Sequence, residues 1–156
     1  RLVSERLYGV VEFDMTETIL ALCRAESIST WAHLVTWYNK NFRMGETEEF
    51  TYENEKTDAD AVNAIEICRG EIRRLEALGR KGDTVIGDLI LSAEGIEILN
   101  RISLYLRGAE GYCDREELRG IISSWSERYS AAWLRDDKPS QLWRLREFFA
   151  AIPDLK

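Results

Sequence analysis

The chain has 156 residues, 45% hydrophobic and 10% aromatic, enough for one domain that buries roughly 70% of the surface its unfolded form would expose. Its 28 acidic and 21 basic residues leave a net charge of −7, which excludes a binder of nucleic-acid phosphates, whose affinity comes from clustered Lys and Arg. Cys23, Cys68 and Cys113 are odd in number and far apart, which suits neither a disulfide framework nor a zinc site and points to buried free thiols in a reducing, cytoplasmic compartment.

Little period-2 alternation and only two prolines, Pro139 and Pro153, make helix the dominant signal. Asp14 with Glu17 three residues on reads as a capping box opening a helix through about Ser27, with Ile19, Leu20, Leu22 and Cys23 as its apolar members. A second helix spans about Thr30 to Arg43. Its stripe is Trp31, Leu34, Val35, Tyr38 and Phe42, and Gly45 stops it. Residues 46–57 form an acidic connector, read as loop. The third helix, about Asp58 to Leu78, sets Val62, Ile65, Cys68 or Ile72, Leu75 and Leu78 on one face and ends at Gly79.

Asp83 is the expected N-cap of the fourth segment, Thr84 to about Gly108, which is apolar on nearly every side and so belongs in the middle of a bundle. Gly87 and Gly95 each cost about 1 kcal/mol there relative to Ala, so the segment either breaks near Ser92 or uses its glycines for close helix contact. Asp114 with Glu117 repeats the capping-box pattern, and Leu118, Ile122, Trp125, Tyr129 and Trp133 form the next stripe. Lys138-Pro139 breaks that helix; Leu142, Leu145, Phe148 or Phe149 and Ile152 carry the last one to Pro153. The expected fold is all-α: a single antiparallel bundle of about six or seven helices forming one domain over residues 1–156.

No apolar run is expected to cross a bilayer, because Asp88, Glu94, Glu97 and Arg101 interrupt the most apolar segment, and no signal peptide is visible. Catalytic chemistry is equally hard to find. His33, the one histidine, sits at the edge of an apolar stripe without a nucleophile motif and reads as a partly buried structural residue. Glu46, Glu48, Glu49, Glu53 and Glu55 cluster in a connector that reads as solvated charge, whereas general acid–base work needs a carboxyl group in an apolar pocket. Asp136-Asp137 fit helix ends, and Gly79-Arg80-Lys81-Gly82-Asp83 lacks the strand and Gly-Lys-Ser/Thr ending of a phosphate loop. Trp125, Tyr129 and Trp133 invite a sugar-stacking reading, but aromatics at helical spacing are expected in the core, with Trp143 the more exposed ring. No catalytic, cofactor-binding or metal-ligating residue is therefore assigned, and no cofactor is expected.

One resemblance adds to this. Leu104 and Leu106-Arg107 lead to Ala109 and Tyr112. Then come Asp114-Arg115-Glu116-Glu117-Leu118, Tyr129, Trp133-Leu134, and Lys138-Pro139 with Leu142. On these residues the stretch Leu99 to Phe149, about a third of the chain, resembles the helical region that follows the catalytic barrel of bacterial glycoside hydrolase family 20 enzymes, the β-N-acetylhexosaminidases and their relatives. The family's activity is implied to come from an adjacent Asp-Glu pair on that barrel. This chain has no Asp-Glu dipeptide and no strand-helix alternation, so no catalytic residue carries over. The resemblance implies an accessory C-terminal helical domain of a longer polypeptide, which begins here at Arg1 rather than Met. Its expected partner is the parent's catalytic domain, with a homodimer possible; neither nucleic acid nor membrane is expected. A self-contained helical interaction module, unrelated to carbohydrate, is the alternative.

Overall fold

The computed structural model describes residues 2–25, 28–52, 56–80, 82–109, 111, 114–136 and 142–152. In chain order these form α1 (Leu2–Tyr8), α2 (Met15–Ala25), α3 (Ile28–Tyr38), a π turn (Asn39–Arg43), α4 (Asp58–Glu76), α5 (Thr84–Leu106), α6 (Arg115–Asp136) and α7 (Leu142–Ala151). No strand occurs among the described residues, so the all-helical class holds. None of these helices is long and apolar enough to cross a membrane.

Local chemistry starts each long helix. Asp83 Oδ1 accepts from the N–H groups of Val85 and Ile86 at 3.0 and 3.2 Å, satisfying donors that have no partner inside α5. Thr57 caps α4 through a reciprocal box. Its hydroxyl accepts from Asp60 N–H, and the Asp60 carboxylate accepts from Thr57 N–H at 2.8 Å. Asp114 Oδ1 accepts from Glu117 N–H at 2.7 Å, while the Glu117 carboxylate turns to Arg101 instead of closing the expected box. The same holds at α2: Asp14 accepts from Thr16 N–H, and Glu17 faces Arg74.

Helix α5 is central, packing on α2, α3, α4 and α6, as its all-round apolar surface requires. It runs unbroken through Ser92, whose hydroxyl donates back to Asp88 O at 2.8 Å. The close-contact use of glycine is the one realised: the Trp125 indole lies directly on Gly95. Ion pairs mark the seams on either side. Asp58 at the start of α4 meets Arg107 just beyond α5 at 2.6 Å, and Arg69 meets Glu97 at 3.0 Å. Across α5 and α6, Arg101 meets Glu117 at 3.0 Å, Glu94 meets Arg128 at 2.8 Å, and Asp88 meets Arg135 at 2.7 Å.

Several expectations are corrected. Helix α1 was not foreseen; it is tied down where the buried Ser4 hydroxyl donates to Asp14 and accepts from Met15 N–H, and where Arg80 donates to Tyr8 O and Gly9 O. In α2 the buried positions are Met15, Thr18, Leu22 and Ala25, so Leu20 and Cys23 face solvent. Cys68 is buried as expected. The second helix does not continue as α to Arg43 but widens after Tyr38, with Met44 N–H donating to Asn39 O at 3.1 Å. Glu53, Glu55, Tyr112, Cys113, Asp137, Lys138-Pro139 and Pro153 lie outside the described residues.

The largest core cluster lies where α3, α5, α6 and α7 meet, and it is rich in aromatics. Trp37, Tyr38, Phe50, Tyr105, Trp125, Phe148 and Phe149 are all buried there. Face-to-edge contacts dominate, such as Phe148–Phe149 at 5.1 Å and Trp125–Phe149 at 5.2 Å, the arrangement ring quadrupoles favour.

Candidate functional site

At one edge of that cluster the packing opens into a cleft of about 340 Å³ between α3, α6 and α7. Helix α3 contributes Trp31, Val35 and Tyr38, which the i, i+4, i+7 spacing puts on one face. Tyr129 and Trp133, one turn apart on α6, form a second wall, their rings 5.9 Å apart. Leu142, Leu145 and Phe148 of α7 supply the third. Phe148 braces the first wall edge-on, 5.2 Å from Trp31 and 5.3 Å from Tyr38.

The polar lining is sparse and comes from the π turn and the start of α7: Asn39, Arg43 and Arg144. Short π segments recur at functional sites because the widened turn re-aims side chains. This one is held by the acidic connector. Asn41 accepts from Glu48 N–H and donates to Trp37 O, both at 3.0 Å; Trp37 Nε1 donates to Glu48 O at 2.7 Å. Lys40 pairs with Glu48 at 2.9 Å, and that hydrogen bond pushes the ammonium pKa above its ordinary range. Glu48 is thus a staple of the turn as well as a solvated charge.

Arg43 reaches Glu147 at 3.4 Å, and the Arg144 guanidinium sits 5.3 Å from the centre of the Trp143 ring. The Tyr38 phenol is pushed up mainly by burial, with Glu147 adding to the shift and Arg43 opposing it. Among the described residues, no carboxylate, imidazole or thiol lines the cleft. Trp31, Tyr129 and Leu145 also border a shallower recess of about 310 Å³ toward Ser92, Gly95 and Leu99 on α5, so the apolar surface continues past the cleft.

The residues weighed as catalytic candidates do not converge here. His33 packs edge-on against Phe50 at 5.5 Å, away from the cleft lining. Of the acidic cluster, the described Glu46, Glu48 and Glu49 are exposed and are not among the lining residues of the cleft. No group of three or more His, Cys, Asp or Glu among the described residues is placed to hold a metal ion. Trp125 is buried, its Nε1 donating to Leu91 O at 2.8 Å, whereas Trp133 is only partly buried and lines the cleft. Trp143 is exposed, as expected.

Sequence reasoning placed Trp31, Val35, Tyr38, Tyr129 and Trp133 on stripes but read every stripe as core. The one available signal was a surplus of large rings at the C-terminal ends of two helices. No protein-family model, curated protein or solved structure matches this chain.

Proposed function

We propose that this chain is a non-catalytic helical module that docks on another protein through the end of the fold around the cleft. The observation that carries the reading is a group of large apolar side chains left in solvent beside the cleft lining. Phe42, Leu134 and Trp143 are 47, 49 and 57% exposed, and each adjoins a lining residue in the chain: Arg43, Trp133, and Leu142 with Arg144. Met44, next to Arg43 on the other side, is 69% exposed. Half of the large apolar residues exposed among the described ones thus adjoin the lining in the chain, and aromatic residues, Met and Arg are the types enriched in protein contacts.

The resemblance of residues 99–149 makes the catalytic barrel of a β-N-acetylhexosaminidase-like glycoside hydrolase the partner of choice. The described lining is mainly aromatic and aliphatic, which suits a contact surface. We also infer that neighbouring helices run antiparallel within a single bundle. Supporting this, the α4–α5 pairs ascend in one helix as they descend in the other, from Asp58–Arg107 to Arg69–Glu97. The α5–α6 pairs do likewise, from Arg101–Glu117 to Asp88–Arg135.

The test is calorimetric titration of the purified chain into a family 20 catalytic barrel lacking its own helical C-terminal region. Saturable binding that Trp143→Asp weakens supports the reading, and absence of binding removes the hexosaminidase as partner. Concentration-dependent dimerisation abolished by Trp143→Asp would instead make a second copy the partner. Hydrolysis of an aryl N-acetylglucosaminide by the chain alone, at the rate of a complete enzyme, would overturn the non-catalytic role.

A further inference from the structure

The cleft interior is chemically different from the exposed apolar groups around it, and it points to a ligand of its own. We propose that it binds a flat aromatic carboxylate, with the rings of the ligand among Trp31, Tyr38 and Trp133 and its carboxylate met by Arg144 and Arg43. This inference goes beyond the docking reading and does not depend on it. Small-molecule sites are concave, mainly apolar, about 300–1,000 Å³ in volume, and carry a few placed polar groups. This cleft matches on each point.

The aromatic walls select a planar body, because ring faces and edges gain most from another π surface. The polar groups select the charge. Among the described residues, both ionised groups of the lining, Arg43 and Arg144, are cations, on a chain whose net charge is −7. Arg144 has no carboxylate partner among the described residues. Arg43 holds Glu147 at 3.4 Å, with both side chains about half exposed. That is long beside the ~2.8 Å of a strong charge-assisted bond, so an incoming anion can displace it. A guanidinium presents a planar fork that fits a carboxylate at two points. A ligand cation would be drawn to the rings but repelled by both arginines. A sugar ring would need several acceptors for its hydroxyls, and among the described residues Asn39 is the only side-chain amide or acid in the lining.

The experiment is a titration of the ¹⁵N-labelled full chain with indole-3-propionate and, separately, with indole-3-propionamide, which keeps the rings and removes the charge. The expected result is saturable movement of the Trp31 and Trp133 indole N–H signals. The carboxylate should bind about fivefold tighter than the amide, the equivalent of one exposed charge pair. Arg144→Gln should reduce that preference, Arg144→Gln with Arg43→Gln should abolish it, and both should leave amide binding intact. Val35→Phe, which places an added ring in the cleft, should abolish binding of both with an unchanged helical circular dichroism spectrum. Equal affinity of the two probes, signal movement confined to Trp143, or no saturable movement would each overturn the proposal. None of these outcomes bears on binding of a catalytic barrel, so the two readings fail separately.

Discussion

Two glycines in the same helix should respond to alanine with opposite signs. Gly87 and Gly95 both lie inside α5, where replacing Gly by Ala in an open helical position stabilises by about 1 kcal/mol. A Cβ on Gly87 meets nothing within 4 Å, so Gly87→Ala should collect that gain. A Cβ on Gly95 would stand 2.8 Å from Cζ2 and 3.3 Å from Cε2 of Trp125. The indole cannot easily retreat: it stacks on Tyr129 at 4.7 Å, meets Phe149 at 5.2 Å, and donates to Leu91 O at 2.8 Å. Overpacking of this kind costs about 1–3 kcal/mol, and stretching a buried hydrogen bond adds up to about 1. Offset by the helix gain, Gly95→Ala should destabilise by about 1–2 kcal/mol. Urea unfolding, followed by helix circular dichroism and by tryptophan emission, measures both variants. For a chain of this size each kcal/mol moves the melting temperature by about 2–4 °C. If Gly95→Ala stabilises as much as Gly87→Ala, Trp125 does not rest on that glycine and the account of α5–α6 packing fails.

Other perturbations test other joints. Arg101 is buried, its side chain 8% exposed, and Glu97, 15% exposed, bonds it at 2.8 Å and Arg69 at 3.0 Å. Glu97→Ala should therefore cost about 2–3 kcal/mol in urea unfolding, far more than Glu66→Ala, which removes only the exposed end of the Arg69 pair; equal losses would contradict this. Asp83→Ala should cost about 1 kcal/mol, with Asp83→Asn losing much less, since either oxygen can cap Val85 and Ile86; similar losses for both would point away from the cap. The Asp14 carboxyl is held far below its ordinary 3.8 by the Ser4 hydroxyl first and by Thr16 N–H after it. A folded-state value below the unfolded one means the stabilisation is complete above about pH 4 and drains as the pH falls further. Between about pH 5 and pH 2.5 the urea midpoint of the wild type should therefore fall more steeply than that of Asp14→Asn, and parallel curves would refute the role of this carboxylate.

The parts of the fold legible in advance are those where one helix carries its own signal. In α4 and α6 the apolar residues recur with helical period, Asp83 and Asp114 are polar caps just before a run, and Gly79 takes φ +64° beyond α4. Where burial depends on a distant partner, the pattern misled. Leu20 and Cys23 are apolar by type yet exposed, while Ser4, Thr18 and Asn100 are polar and buried because Asp14, Glu71 and Lys56 satisfy them across the fold. Helix α1 has seven residues, too few for a periodic signal, and owes its place to Ser4 and Arg80. The Thr57–Asp60 box was readable but lay hidden in a connector dismissed as solvated charge.

The cleft escaped for a sharper reason, which the π turn makes plain. Tyr38 and Phe42 are four apart, and in an unbroken α-helix Phe42 would extend the stripe of Trp31 and Tyr38. A π turn closes at i→i+5, which sets every later residue back by about one position around the helix axis. Phe42 accordingly leaves the stripe for solvent, still stacked on Tyr38 at 5.1 Å, and Arg43 lines the cleft instead. That single slip changes the end of an apolar face into an aromatic recess with a cationic rim. Nothing in residues 39–43 alone requires it: the turn is held open by Glu48, bonded to Lys40 and Asn41, and by the Trp37 indole reaching the Glu48 carbonyl. Periodicity finds helices, but a site that exists because periodicity is broken has to be sought in the contacts that break it.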